Sequence, residues 1–207
     1  MATIYGSWSS RWKPSGASEY RHFRSVLDYT ITVFPTYISV YVKSGINLDY
    51  TVNAGFYVYQ TNNSSLHEYS KYGDAYTYWW QSRTYTFSRK TSAYNASISA
   101  SCKNDGGVSA WNGDVSYTSA SFVVPALDTY TLSFDATGGT DAPSSQTGFY
   151  NTAFAITQDL PTLVAHEFVI WEDRSTTPYT YYLPNQNISL TENKTLYAVW
   201  EDVGISP

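Results

Sequence analysis

Histidines and carboxylates come first among the residues of this chain that could do chemistry. His22, His67 and His166 are the three histidines. They lie far apart, and none has a Cys or a second His at the short spacing a zinc or other transition-metal site needs. They read as ordinary surface side chains, and no metal is expected. Glu19, Glu68, Glu167 and Glu172 offer carboxylates. A glycosidase needs two of these held at a set separation across a cleft, and nothing in the sequence marks such a pair. No Gly-x-Ser-x-Gly elbow presents a nucleophilic serine. Asn104-Asp105-Gly106-Gly107 begins like a calcium loop but lacks the alternating acidic ligands and the closing Glu, so it reads as a hairpin turn. Asp135, Asp141 and Asp159 sit among turn formers, where Asp tolerates tight geometry. Gly138-Gly139 supplies positive-φ turn geometry, and no helix follows to offer its N-terminus to a phosphate. The expectation is no catalytic residue and no cofactor.

The aromatic residues are the stronger candidates. Tyr76, Tyr78, Trp79 and Trp80 form a dense run, with Tyr69 and Tyr72 close by. Sugars stack on exposed Trp and Tyr, whose polar tips also hydrogen-bond. The same residues enrich protein interfaces. On a regular strand, neighbours point to opposite faces, so Trp79 and Trp80 cannot both enter one core. One of them is expected outside, on a glycan or at an interface. Trp8 and Trp12 are the second pair, expected near an intermolecular contact or in the N-terminal core.

These residues need strands to position them, and the composition supplies strands. Aromatics make up 18% of the chain and charged residues only 14%, with 21 Tyr, 7 Trp and a single Met. Long Leu/Ala/Glu/Lys stretches are missing, so the chain is expected to be all-β. Period-2 alternation marks strands over 20–33, 36–43, 52–60, 76–87, 94–103 and 115–124, and an aromatic-rich first strand runs from Ile4 to Trp12. Phe34-Pro35, the polar loop 61–65 and Asn112-Gly113 punctuate them. Many short strands with regular turns imply an antiparallel sandwich over 1–125, Ig-like or jelly-roll. Pro125-Ala126-Leu127-Asp128 reads as a short joint, unlike a flexible Gly/Ser linker, so two modules at a restricted mutual angle are expected. At 207 residues, two modules of about 100 residues each fit the usual domain size.

Charge and cysteine content narrow the function. A net charge of −5 argues against a nucleic-acid partner, which needs a clustered basic surface to displace counterions. Cys102 is the one cysteine, so no internal disulfide can form and folding in a reducing compartment is favoured. No apolar run approaches the roughly 20 residues that span a bilayer. The N-terminal residues show neither the basic nor the apolar region of a secretory signal, and residues 203–207, read as a tail, show no sorting motif. Export is therefore not expected.

The last third carries a family signature. It reads YTLSFDATGGTDAP from Tyr130 to Pro143, then Leu160-Pro161-Thr162, then Phe168 to Trp171, and closes on TLYAVW from Thr195 to Trp200. In this order and spacing, residues 128–202 resemble the InlB-type B repeat, or Listeria–Bacteroides repeat. Ala165-His166-Glu167-Phe168 departs from that family's Gly-aromatic-x-Phe strand, and Ile170 replaces its second Gly. The resemblance implies a small β-grasp-like display module without catalytic machinery, of the kind carried by bacterial surface proteins and by tail and other virion proteins of bacteriophages. It implies core positions for Trp171 and Trp200. The joint from Val124 to Leu127 and the sandwich before it also look like phage minor structural proteins. The expected function is a non-enzymatic virion protein, present in several copies on a head or tail. Its partners would be other virion proteins, copies of itself and host-surface glycan, and it would assemble in the host cytoplasm. A glycan-binding receptor-binding module and a fragment of a bacterial surface adhesin are the alternatives.

Overall fold

Alternating burial along each strand builds this molecule. In the computed structural model, residues 2–9, 11, 22–48, 54–60, 67–71, 77–104 and 115–204 are described. The fold is all-β, with fifteen strands among these residues. The chain divides into two compact units, Met1–Pro125 and Ala126–Pro207.

In the first unit, β1 (Ala2–Tyr5), β2 (Phe23–Val33), β3 (Tyr37–Leu48) and β6 (Thr77–Ser88) form one antiparallel sheet in the order β1-β2-β3-β6. β4 (Ala54–Gln60), β5 (His67–Lys71), β7 (Tyr94–Asn104) and β8 (Val115–Val124) form a second, ordered β5-β4-β7-β8. Both sheets feed one core. Leu27, Ile38, Val40 and Val42 from the first meet Ile98, Ala100, Ala120 and Val124 from the second. This is sandwich packing. Residues 34–37 turn β2 into β3, and Arg89 clamps that turn: its Nη1 donates to the carbonyls of Phe34 (3.1 Å) and Pro35 (3.0 Å).

Two strand expectations change. The first strand stops at Tyr5, well short of residue 12. β3 runs on to Leu48, because β2 and β6 pair with it over nearly its whole length.

The second unit centres on β9 (Thr129–Asp135), β12 (His166–Asp173) and β15 (Lys194–Asp202). With β10 (Gln146–Phe149) and β13 (Thr180–Tyr182) they make a sheet ordered β10-β9-β15-β12-β13. β15 lies parallel to β9 and antiparallel to β12. A small ribbon of β11 (Ala153–Ala155) and β14 (Asn187–Ser189) carries Ile188 and flanks Ile156 and Leu190. These three pack with Leu132, Phe134, Trp171, Leu196 and Ala198 in a core of their own. Trp171 is fully buried, its ring 4.9 Å from Phe134 and 5.0 Å from Phe168. Burying one such aromatic contributes on the order of 2–3 kcal/mol.

Among the described residues no helix is long and apolar enough to cross a membrane.

Candidate functional site

The N-terminal run is set by small residues. Tyr5 pairs with Val26, but Ser9 donates its N–H to the Phe23 carbonyl at 2.7 Å, so the register slips by one between them. Gly6 makes the slip feasible. A Cβ there would stand 2.5 Å from both Ser25 Oγ and the Tyr117 carbonyl. Beside it, Ser116 Oγ of β8 accepts from Ser25 N–H (2.8 Å) and donates to the Ser7 carbonyl (2.6 Å). The chain thus crosses from the edge of one sheet toward the edge of the other.

That crossing leaves Trp8 outside the core, 38% exposed. The Arg24 guanidinium lies 4.0 Å from the centre of the Tyr5 ring and 4.1 Å from that of Trp8. Arg24 Nε donates to Asn47 Oδ1 at 2.8 Å, across the β2–β3 register pair. His22 packs on Trp8 with ring centres 4.5 Å apart. Each exposed cation–π contact is worth about 0.5–1 kcal/mol. The cluster ties the chain start to β2 and leaves the Tyr5 and Trp8 rings partly exposed.

Trp12 and Tyr76 lie outside the described residues. Tyr78, Trp79 and Trp80 fall on β6, where the backbone register is informative. Tyr78 pairs with Ile46 and Trp79 with Gly45, but Ser44 pairs with Gln81. Trp80 is therefore the extra residue of a β-bulge. A bulge breaks the alternation of faces, so the argument that placed Trp79 and Trp80 on opposite faces does not carry through this point.

In the second unit the expected turn residues have defined partners. Asp135 Oδ1 accepts the Thr137 N–H at 2.7 Å. Thr137 (φ 47°) and Gly138 (φ 90°) form the corner, closed by Gly139 N–H on the Ala136 carbonyl at 3.0 Å. Gly138 is needed for its φ. Gly139 is needed for closeness, since a Cβ there would lie 2.4 Å from the Thr162 carbonyl. Asp141 takes the hydroxyls of Thr162 (2.7 Å) and Thr140 (2.9 Å), and these two bonds, Thr162 first, hold its carboxyl below the usual range. Asp159 accepts from Thr157 Oγ1 at 3.0 Å. His166 spans the ends of two strands: Nε2 meets Asp202 at 2.7 Å and Nδ1 the Val164 carbonyl at 2.8 Å. His67 lies on β5. No group of three His, Cys, Asp or Glu able to hold a metal occurs among the described residues.

Sequence reasoning missed a second aromatic surface. The register sets Tyr181 opposite Glu172, Glu172 opposite Tyr197, and Tyr197 beside Asp135 in one row across the sheet. Tyr179 and Tyr181 are each about half exposed. Desolvation first, and then the Glu172 carboxylate, lift the Tyr181 phenol above its ordinary value. The Tyr179-Thr-Tyr-Tyr182 run carried the signal, but a three-residue strand is too short to show a period.

No protein-family model, curated protein or solved structure matches this chain.

Proposed function

We propose that this chain is a non-enzymatic structural protein of a bacteriophage particle, carried in several copies as a head decoration, head fiber or tail-associated protein. One observation supports the reading more than any other. The segment bearing the repeat-like residues lies in a unit with its own core, built on Leu132, Phe134, Trp171 and Leu196. A self-sufficient core is what a displayed module requires, because it must hold its shape away from its neighbours. In this reading the first unit makes most of the particle contact, with Trp8 and the Tyr5–Arg24 stack near it, and the repeat-like unit projects outward. Tyr and Arg are the residue types that anchor such contacts.

Glycan binding by a receptor-binding module is the second reading. The half-exposed Tyr179 and Tyr181 favour it, in addition to the Tyr76–Trp80 run.

Mass spectrometry of gradient-purified particles from the source phage, with immunogold labelling by antibody against residues 128–202, tests the first reading. Stoichiometric recovery in particles and surface labelling are expected. A protein present in the lysate and missing from particles refutes it. A glycan array probed with the full chain separates the second reading from the first.

A further inference from the structure

Parallel pairing of β9 with β15 ends at Asp135 and Tyr197. There the corner at Thr137 and Gly138 takes the chain out of the sheet. It passes beneath Trp200, whose Nε1 donates to the Ala136 carbonyl at 2.9 Å and whose ring a Cβ on Gly139 would meet at 2.9 Å. β15 continues without it, from Ala198 to Asp202. One side of that stretch pairs with β12. On the side β9 has left, residues 198–202 pair with no described strand. In a parallel ladder every second residue turns both its N–H and its C=O toward the neighbour, so this edge offers backbone donors and acceptors to a missing strand.

A groove of about 500 Å³ runs along this stretch, with Arg174 and Glu172 toward one end and His166 and Asp202 toward the other. Arg174 is pre-set. Its guanidinium stacks on Tyr197 at 4.3 Å, and its Nε donates to Glu172 at 2.6 Å. The two terminal nitrogens make no hydrogen bond to any described residue. Such a fork, fixed in plane with its ends outward, matches a carboxylate bidentately.

We infer that this groove is a strand-acceptor site for an extended peptide bearing one carboxylate side chain. The peptide backbone adds to β15 at 198–202 in the place β9 vacates, and the carboxylate docks on Arg174. A peptide fits better than a sugar, because the open groups recur every second residue, about 6.6 Å apart along a strand. Asp202 sets the polarity: a second acid at its end of the groove would be repelled, and a basic residue there is attracted. The inference stands on the geometry of the second unit alone, whether or not the chain belongs to a particle.

The test pans a random heptapeptide library against the full chain, counter-selecting on Arg174→Gln. Arg174 is exposed, so its replacement leaves the fold intact, and a thermal melt checks this. Enriched peptides should carry an acidic residue at one end of a β-branched run. Their affinity should fall about tenfold or more on Arg174→Gln, the worth of one charge-assisted hydrogen bond, and Arg174→Lys should not restore it. Backbone N-methylation of a selected peptide should abolish binding at every second position and leave the intervening positions unaffected. No enrichment, peptides without an acidic position, or insensitivity to N-methylation overturns the proposal. Capture of a polyuronate by the wild type and not by Arg174→Gln, with no peptide competing, assigns the groove to a glycan and also overturns it.

Discussion

Replacing Lys194 with Met should open the second unit locally, because it breaks a buried ion pair. Lys194 Nζ sits 2.7 Å from Asp173 Oδ2 and 2.7 Å from Ser175 Oγ. Ser175 in turn donates its N–H (2.9 Å) and hydroxyl (2.6 Å) to Asp173 Oδ1. The Asp173 side chain is only 2% exposed and that of Lys194 13%. Removing one partner of a buried pair leaves the other charge uncompensated, which costs about 3–5 kcal/mol. Met keeps the packing of the lysine stem, and Ser175 still donates twice, so the lower end applies: about 3 kcal/mol. A unit the size of Ala126–Pro207 has a total stability on the order of 4–12 kcal/mol, so about a quarter to three quarters of the margin is at stake. Hydrogen exchange read by mass spectrometry on β12 and β15 should show protection falling by about two orders of magnitude, at 1.4 kcal/mol per decade. Asp173→Asn in the same chain as Lys194→Met should recover most of it, because both charges are then gone.

The pH dependence has a defined sign. Burial would raise the Asp173 carboxyl, but the hydrogen bonds from Lys194 and Ser175 and the lysine charge outweigh it and hold the carboxyl below its ordinary value. A folded value below the unfolded one, about 3.9, means the contribution is complete above roughly pH 4 and is lost as pH falls through the folded value. In Lys194→Met burial dominates and protonation becomes a relief. The gap between wild type and variant should therefore narrow at low pH. A loss of protection under about fivefold, which is about 1 kcal/mol, a double variant no better than the single, or a gap that widens toward low pH refutes the reasoning.

The Gly pair should respond unequally. Gly138→Ala meets open space but must hold φ at 90°, costing about 1–2 kcal/mol, whereas Gly139→Ala drives a methyl into the Thr162 carbonyl and Trp200 and should lower the melting temperature further. Cys102 faces the first unit's core, fully buried, and burial pushes its thiol far above the ordinary value; an Ellman-type reagent should leave it unmodified in the native protein and label it in denaturant. Arg24→Ala removes the cation between Tyr5 and Trp8, so stability should drop by about 1–2 kcal/mol and quenching of Trp fluorescence by iodide should increase.

What the sequence made legible follows from the range of the forces involved. β8 spans Val115–Val124, where strict alternation puts Ser116, Thr118, Ala120 and Val124 inside and Val115, Tyr117 and Val123 outside. That period is local, so reading along the chain finds it. β1 failed to reach Trp12 because Gly6 lets the backbone cross toward Ser116, 110 residues on, and no local pattern reports that contact. At Trp79 and Trp80 the alternation argument lapses for a related reason: the bulge comes from how β6 registers with Gly45, which is a property of a partner strand.

The groove at β15 shows the same boundary within one site. Glu172 and Arg174 are two residues apart on or just past a strand, so a shared face could have been read from their spacing. Tyr197 beneath the guanidinium needed the β12–β15 register. The open edge needed more, namely that β15 outlasts its parallel neighbour. The turn that ends β9 was legible as Gly138-Gly139, although the positive φ falls on Thr137 and Gly138; its consequence for strand pairing was not, because it is written in a strand about sixty residues downstream. Local chemistry places the corner. Only the sheet decides which backbone groups the corner leaves open.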